Sequence, residues 1–83
     1  MRSIFVVSPF DGGWSVRTSS AGEPMVFDTG GQAERRARAL ASEVRARGGE
    51  AEVWIHDRTG RFVGRWIGDR HEIIGEPGEA VAA

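Results

Sequence analysis

The side chains of this chain best suited to chemistry are its arginines and tryptophans. Arg17, Arg61 and Arg65 fall in segments that also hold Trp14, Trp54 and Trp66. Guanidinium groups interleaved with flat rings are what a single-stranded nucleic acid requires, a cation for the phosphates and a stacking surface for the bases. Charge argues against that use. Twelve acids offset eleven arginines, for a formal net charge of −1, whereas a nucleic-acid domain is strongly basic. The three indoles also have a structural use, because burying one stabilises a small core by about 2 to 3 kcal/mol.

Other chemistries find less material. His56 and His71 are the only histidines and there is no cysteine, so no metal motif, thiolate nucleophile or disulfide can be assembled. His56 precedes Asp57 at the end of a strand-like segment and reads as a turn-stabilising hydrogen-bond partner. Ser8, Ser15, Ser19, Ser20 and Ser42 stand in no nucleophile-elbow context. The pairs Gly12-Gly13 and Gly30-Gly31 lack the phosphate-loop pattern and the chain has no lysine to serve one. Thr29-Gly30-Gly31 at a helix start reads as a cap. No catalytic residue, metal or cofactor is expected.

One helix and several strands must position these groups. Thr29 to Gly48, TGGQAERRARALASEVRARG, places Ala33, Ala37, Leu40, Ala41 and Val44 on one side of a 3.6-residue turn. Thr29 and Gln32 fit a capping box and Gly48 supplies the stop. A seam built mostly of alanine lets the helix lie close to a sheet. Glu34 with Arg38 and Glu43 with Arg47 are i, i+4 pairs in the favourable order, each contributing about 0.3 kcal/mol to a solvated face.

The strands read as hairpins. Residues 3–8, SIFVVS, run to Pro9; Asp11-Gly12-Gly13 turns the chain; Trp14 and Val16 then alternate with Ser15 and Arg17. Met25-Val26-Phe27 fits either a strand extension or a staple leading into the helix. Beyond Gly49, Val53 and Ile55 share one face and Glu52, Trp54 and His56 the other. Asp57 to Gly60 forms a turn. The segment Arg61 to Ile67 alternates Phe62 and Trp66 against Val63, Arg65 and Ile67. Both faces of these last two strands are apolar enough to meet the helix.

Residues 1–67 therefore read as a single α+β domain of β-β-α-β-β order, two antiparallel hairpins with one helix packed on one sheet face. Residues 68–83 hold four acids and one arginine and read as an acidic, flexible tail in which His71 to Ile74 can dock as a further strand. No apolar run reaches membrane-span length and the N-terminus lacks a signal-peptide core, so a soluble, cytoplasmic protein is expected.

A first strand ending near Pro9, Gly12-Gly13-Trp14 followed by Val16, helix entry at Thr29 leading to Ala33-Glu34 and Ala37, and the closing Ile55-His56 and Gly60-Arg61 resemble the small bacterial proteins grouped as domain of unknown function family 2188. The likeness spans about residues 4–65. The chain departs from the pattern by the Gly30-Gly31 insertion, a longer link between the helix and the following strand, and the acidic tail. The resemblance implies the β-β-α-β-β architecture and carries over no catalytic residue.

One helix covers one sheet face, which leaves aromatic side chains on the other, and exposed aromatic surface marks an interaction site. The expectation is a non-enzymatic module that self-associates, most simply as a two-fold dimer that buries the open sheet face or pairs an edge strand. The alternative is a single-stranded nucleic-acid binder. In either case Arg17, Trp54, His56, Arg65 and Trp66 are the candidate surface.

Overall fold

The chain begins with a hairpin built on a two-residue turn. Asp11 and Gly12 both take positive φ, 49° and 83°, the mirror-image turn whose twist matches that of the flanking strands, and Gly12 reaches it without steric cost. Phe10 is thereby paired with Gly13, and β1 (Arg2–Phe10) with β2 (Gly13–Thr18). The computed structural model describes residues 2–19 and 22–73. It continues through β3 (Met25–Phe27), α1 (Gly30–Ala46), β4 (Glu50–His56), β5 (Phe62–Ile67) and β6 (Arg70–Ile73).

The protein is α+β with one helix on one sheet face, but the strand count and pairing differ from the expected β-β-α-β-β hairpins. Among the described residues there are six strands in one mixed sheet, in the order β3-β2-β1-β4-β5-β6. Met25–Phe27 is a true strand, antiparallel to β2, and Arg70–Ile73 is another, antiparallel to β5. The central pair, β1 with β4, is parallel. The reason lies in the connection. Three antiparallel strands followed by a helix that runs back across the sheet return the chain to the end where β1 began, and β1 has the free edge because β3 occupies the far side of β2. A hairpin-by-hairpin reading sees only local partners. Residues 74–83, most of the expected tail, lie outside the described residues.

The helix forms as its sequence dictates. Thr29 is extended at φ −130°, ψ 155°; its hydroxyl accepts from Gln32 N at 3.1 Å, and Gln32 Oε1 accepts from Thr29 N at 3.3 Å. The alanine seam is the buried side: Ala33, Ala37 and Ala41 join Phe5, Val7, Val16, Ala51 and Val53 in the core. Trp14, Phe27, Leu40, Ile55 and Trp66 close around them. Gly30 belongs to this packing, since a Cβ there would stand 3.1 Å from the Trp14 indole. No helix among the described residues is long and apolar enough to cross a membrane.

The side-chain alternation of β5 departs from the expected pattern. The register slips between Ile55 and His56, so that Ile55 faces Gly64 whereas His56 faces Phe62. The extra residue of this bulge reverses the phase of one strand relative to its partner. Trp66, opposite Val53, consequently turns toward the helix, and Phe62 lies with Trp54 and His56 on the other face. The expected pairing of Phe62 with Trp66 on one face is corrected by this one-residue slip.

Candidate functional site

Strand alternation assigns the uncovered face, because residues two apart share a side and register partners stand beside one another. One row across it reads Arg17, Val6, Trp54, Arg65, Glu72. A neighbouring row reads Ile4, Glu52, Ile67, Arg70. On the other side of Trp54 stand Val26, Ser15, Ser8, His56 and Phe62. Four of the five sequence candidates, Arg17, Trp54, His56 and Arg65, therefore share this face. Trp66 is on the opposite one.

The centre of the face is apolar and aromatic. Trp54 and Phe62 meet at 5.4 Å between ring centroids, and Phe62 and His56 at 5.5 Å. His56 Nδ1 lies 3.1 Å from the Val7 carbonyl. A carbonyl only accepts, so Nδ1 carries the hydrogen, and in the neutral ring Nε2 is left as an acceptor. The partner of His56 is thus a backbone group of β1, and the expected turn contact belongs to Asp57 alone. Asp57 Oδ1 accepts from Thr59 N at 2.9 Å, Thr59 Oγ1 at 2.6 Å and Arg61 N at 3.0 Å. These bonds hold its carboxyl below the usual range, the Thr59 hydroxyl contributing most. Arg17 lies over the Phe10 ring at 5.9 Å.

An ionic network borders this centre. Glu52, with its side chain only 7% exposed, accepts from Trp54 Nε1 at 2.8 Å and pairs with Arg2 Nη1 and Arg65 Nη1, each at 3.3 Å. Arg65 Nε also donates to Glu72 at 2.8 Å, which in turn pairs with Arg70 at 3.3 Å. The Arg65 hydrogen bond is the main reason the Glu72 carboxyl is held low and the Arg65 guanidinium high. Both Arg65 and Trp54 are thus committed to carboxylates of the chain itself.

The helix side of the sheet presents different chemistry. Trp66 Nε1 donates to Glu34 Oε2 at 2.8 Å, His71 stacks on the indole at 4.3 Å and 5°, and the Arg38 guanidinium sits 3.7 Å from its centroid. Glu34 and Arg38 therefore hold Trp66 between them in place of the expected helix ion pair, and no Glu34–Arg38 or Glu43–Arg47 bridge forms among the described residues. Beside this stack, Arg35, Arg38, Ser42, Arg45, Trp66 and Asp69 line a groove of about 430 Å³. No group of three or more His, Asp or Glu side chains is placed to hold a metal ion among the described residues.

Sequence reasoning missed Phe62 and Glu52. Phe62 carried no usable signal, because a bulge displaced it. Glu52 carried one, a lone acid in the alternating AEVWIH segment beside a tryptophan, where a charge on a half-buried strand requires partners.

A bacterial family described as uncharacterized protein conserved in bacteria (DUF2188) matches residues 4–67, which run from β1 to the end of β5. No curated protein and no solved structure matches the chain. The chain belongs to this bacterial family.

Proposed function

We propose that this member of the DUF2188 family is a non-enzymatic interaction module that pairs with a second copy of itself across the uncovered sheet face. The observation that carries the reading is the apolar centre of that face. Ile4, Val6, Trp54, Phe62 and Ile67 are all half-buried, with no second layer over them among the described residues. An apolar sheet face needs another layer to bury it, and the single helix serves only one. The molecule measures 38 × 30 × 18 Å, so its broad face has room for the roughly 800 Å² per partner of a standard interface. A two-fold axis matches such a patch with itself. The rim supports the same reading, because Arg2, Arg65 and Arg70 are already neutralised by Glu50, Glu52 and Glu72, which leaves Arg17, among the described residues, as the one cation of this face for two copies to keep apart.

The nucleic-acid reading of this face has less support. Arg65 is engaged by two carboxylates, Trp54 is edge-bonded to Glu52 and tilted against Phe62, and Trp66 faces the helix.

Light scattering after size exclusion, over about a hundredfold range of concentration, tests the proposal. The expected result is a dimer mass that falls to a monomer in Trp54→Glu, with an unchanged circular dichroism spectrum. A wild-type monomer at every concentration, or a dimer indifferent to both Trp54→Glu and Phe62→Glu, overturns it.

A further inference from the structure

We propose that the groove between α1 and β5 is a binding site for an oligophosphate, a linear chain of phosphate groups, gripped by Arg35, Arg38 and Arg45. These arginines recur along one side of the helix at i, i+3 and i+10, with Ser42 between the last two. At 1.5 Å of rise per residue they span about 15 Å. All three line the groove, which has one carboxylate, Asp69, against them.

Their shared position in the groove sets them apart from the other helix arginines, and their state of pairing leaves them available. Arg2, Arg65 and Arg70 on the other face are each bound to glutamates, whereas Arg35, Arg38 and Arg45, like Arg36 and Arg47 across the helix, enter no ion pair among the described residues. The acid best placed by sequence to neutralise Arg38, Glu34, is taken by the Trp66 indole. Arg38 is in turn held against the same indole, its guanidinium carbon 3.7 Å from the ring centroid, which places the head group and leaves its N–H groups to an incoming acceptor.

Guanidinium forks fit the oxygens of phosphate two at a time, and a hydroxyl such as Ser42 adds a neutral donor. The groove volume falls within the range of small-molecule sites. The Trp66 ring is already covered by Arg38 and His71, so it offers no free face for a base. The phosphate chain itself is the recognised element, whether free or carried by a nucleotide.

Titration calorimetry of the full chain with sodium tripolyphosphate, with ATP and with a glutamate-rich peptide tests this site. Tripolyphosphate and ATP are expected to bind, more weakly as salt rises. Equal affinities identify the free chain as the ligand type, and tighter ATP binding a nucleotide. Arg35→Gln combined with Arg45→Gln should weaken binding by at least about tenfold, the worth of lost charge-assisted hydrogen bonds. Arg36→Gln combined with Arg47→Gln removes the same charge from the other side of the helix and should leave it within about twofold. No binding, equal loss in both double variants, or a peptide that binds as tightly as tripolyphosphate overturns the proposal.

Discussion

Glu34 and Trp66, 32 residues apart in the chain, meet through a 2.8 Å hydrogen bond from the indole Nε1 to Glu34 Oε2. Together with the Arg38 guanidinium over the same indole, it ties the β5 side of the sheet back to the helix, whose main packing is over β2, β1 and β4. Glu34→Ala should destabilise the fold by about 1 to 3 kcal/mol, the cost of leaving a half-buried donor unpaired, even though alanine is the better helix former. Glu34→Gln retains an acceptor and should cost less. Urea unfolding of both variants, alone and combined with Trp66→Phe, checks the coupling, since the two losses should not add.

The carboxylate of Glu52 serves three donors at once. Glu52→Gln preserves the bond to Trp54 Nε1 while removing the charge facing Arg2 and Arg65. The two arginines remain partly exposed and can turn to water, so the expected loss is about 1 to 2 kcal/mol rather than the larger cost of a stranded buried ion. Thermal unfolding in low salt and again in high salt separates the charge from the hydrogen bond, because only the former is screened.

Acid should weaken the fold in part through two surface carboxyls. The Asp57 and Glu72 carboxyls titrate below their ordinary values in the folded chain, and in the unfolded chain they return to them. On acidification the unfolded state therefore takes up protons first. Their stabilisation is fully present above the ordinary carboxylate range of about 4, and is lost as pH falls through that range to the lowered folded values. Glu72→Gln should lower stability at neutral pH and flatten the decline between neutral and acidic pH, read as urea midpoints across that interval.

The alanine seam sets how closely the helix approaches the sheet. Ala37 is fully buried, and Ala37→Leu should destabilise by about 1 to 3 kcal/mol through overpacking despite leucine's helix propensity. Ala46→Leu, on the exposed last turn, should change stability by no more than about 0.5 kcal/mol. Chemical denaturation of the pair checks the contrast.

What the sequence determined by itself was everything governed by neighbours along the chain. The capping box at Thr29 and Gln32, the buried stripe of Ala33, Ala37 and Ala41, the Asp11-Gly12 turn and the facing of Trp14, Val16, Val53 and Ile55 all follow from residue type and period. A period of two also placed Trp54 with His56 within one strand, but only the cross-strand register brought Arg17 and Arg65 onto the same face and left Trp66 on the other. The tertiary structure decided what depends on non-local pairing. The crossover made β1 and β4 parallel, and a one-residue bulge at His56 sent Trp66 to the helix and Phe62 to the open face. Competition for partners then decided the charges, because Trp66 drew Glu34 away from Arg38 while Glu52 and Glu72 claimed Arg65. The alternatives differ only in which side chains are brought within hydrogen-bond reach, and that is set by the folded sheet rather than by spacing in the chain.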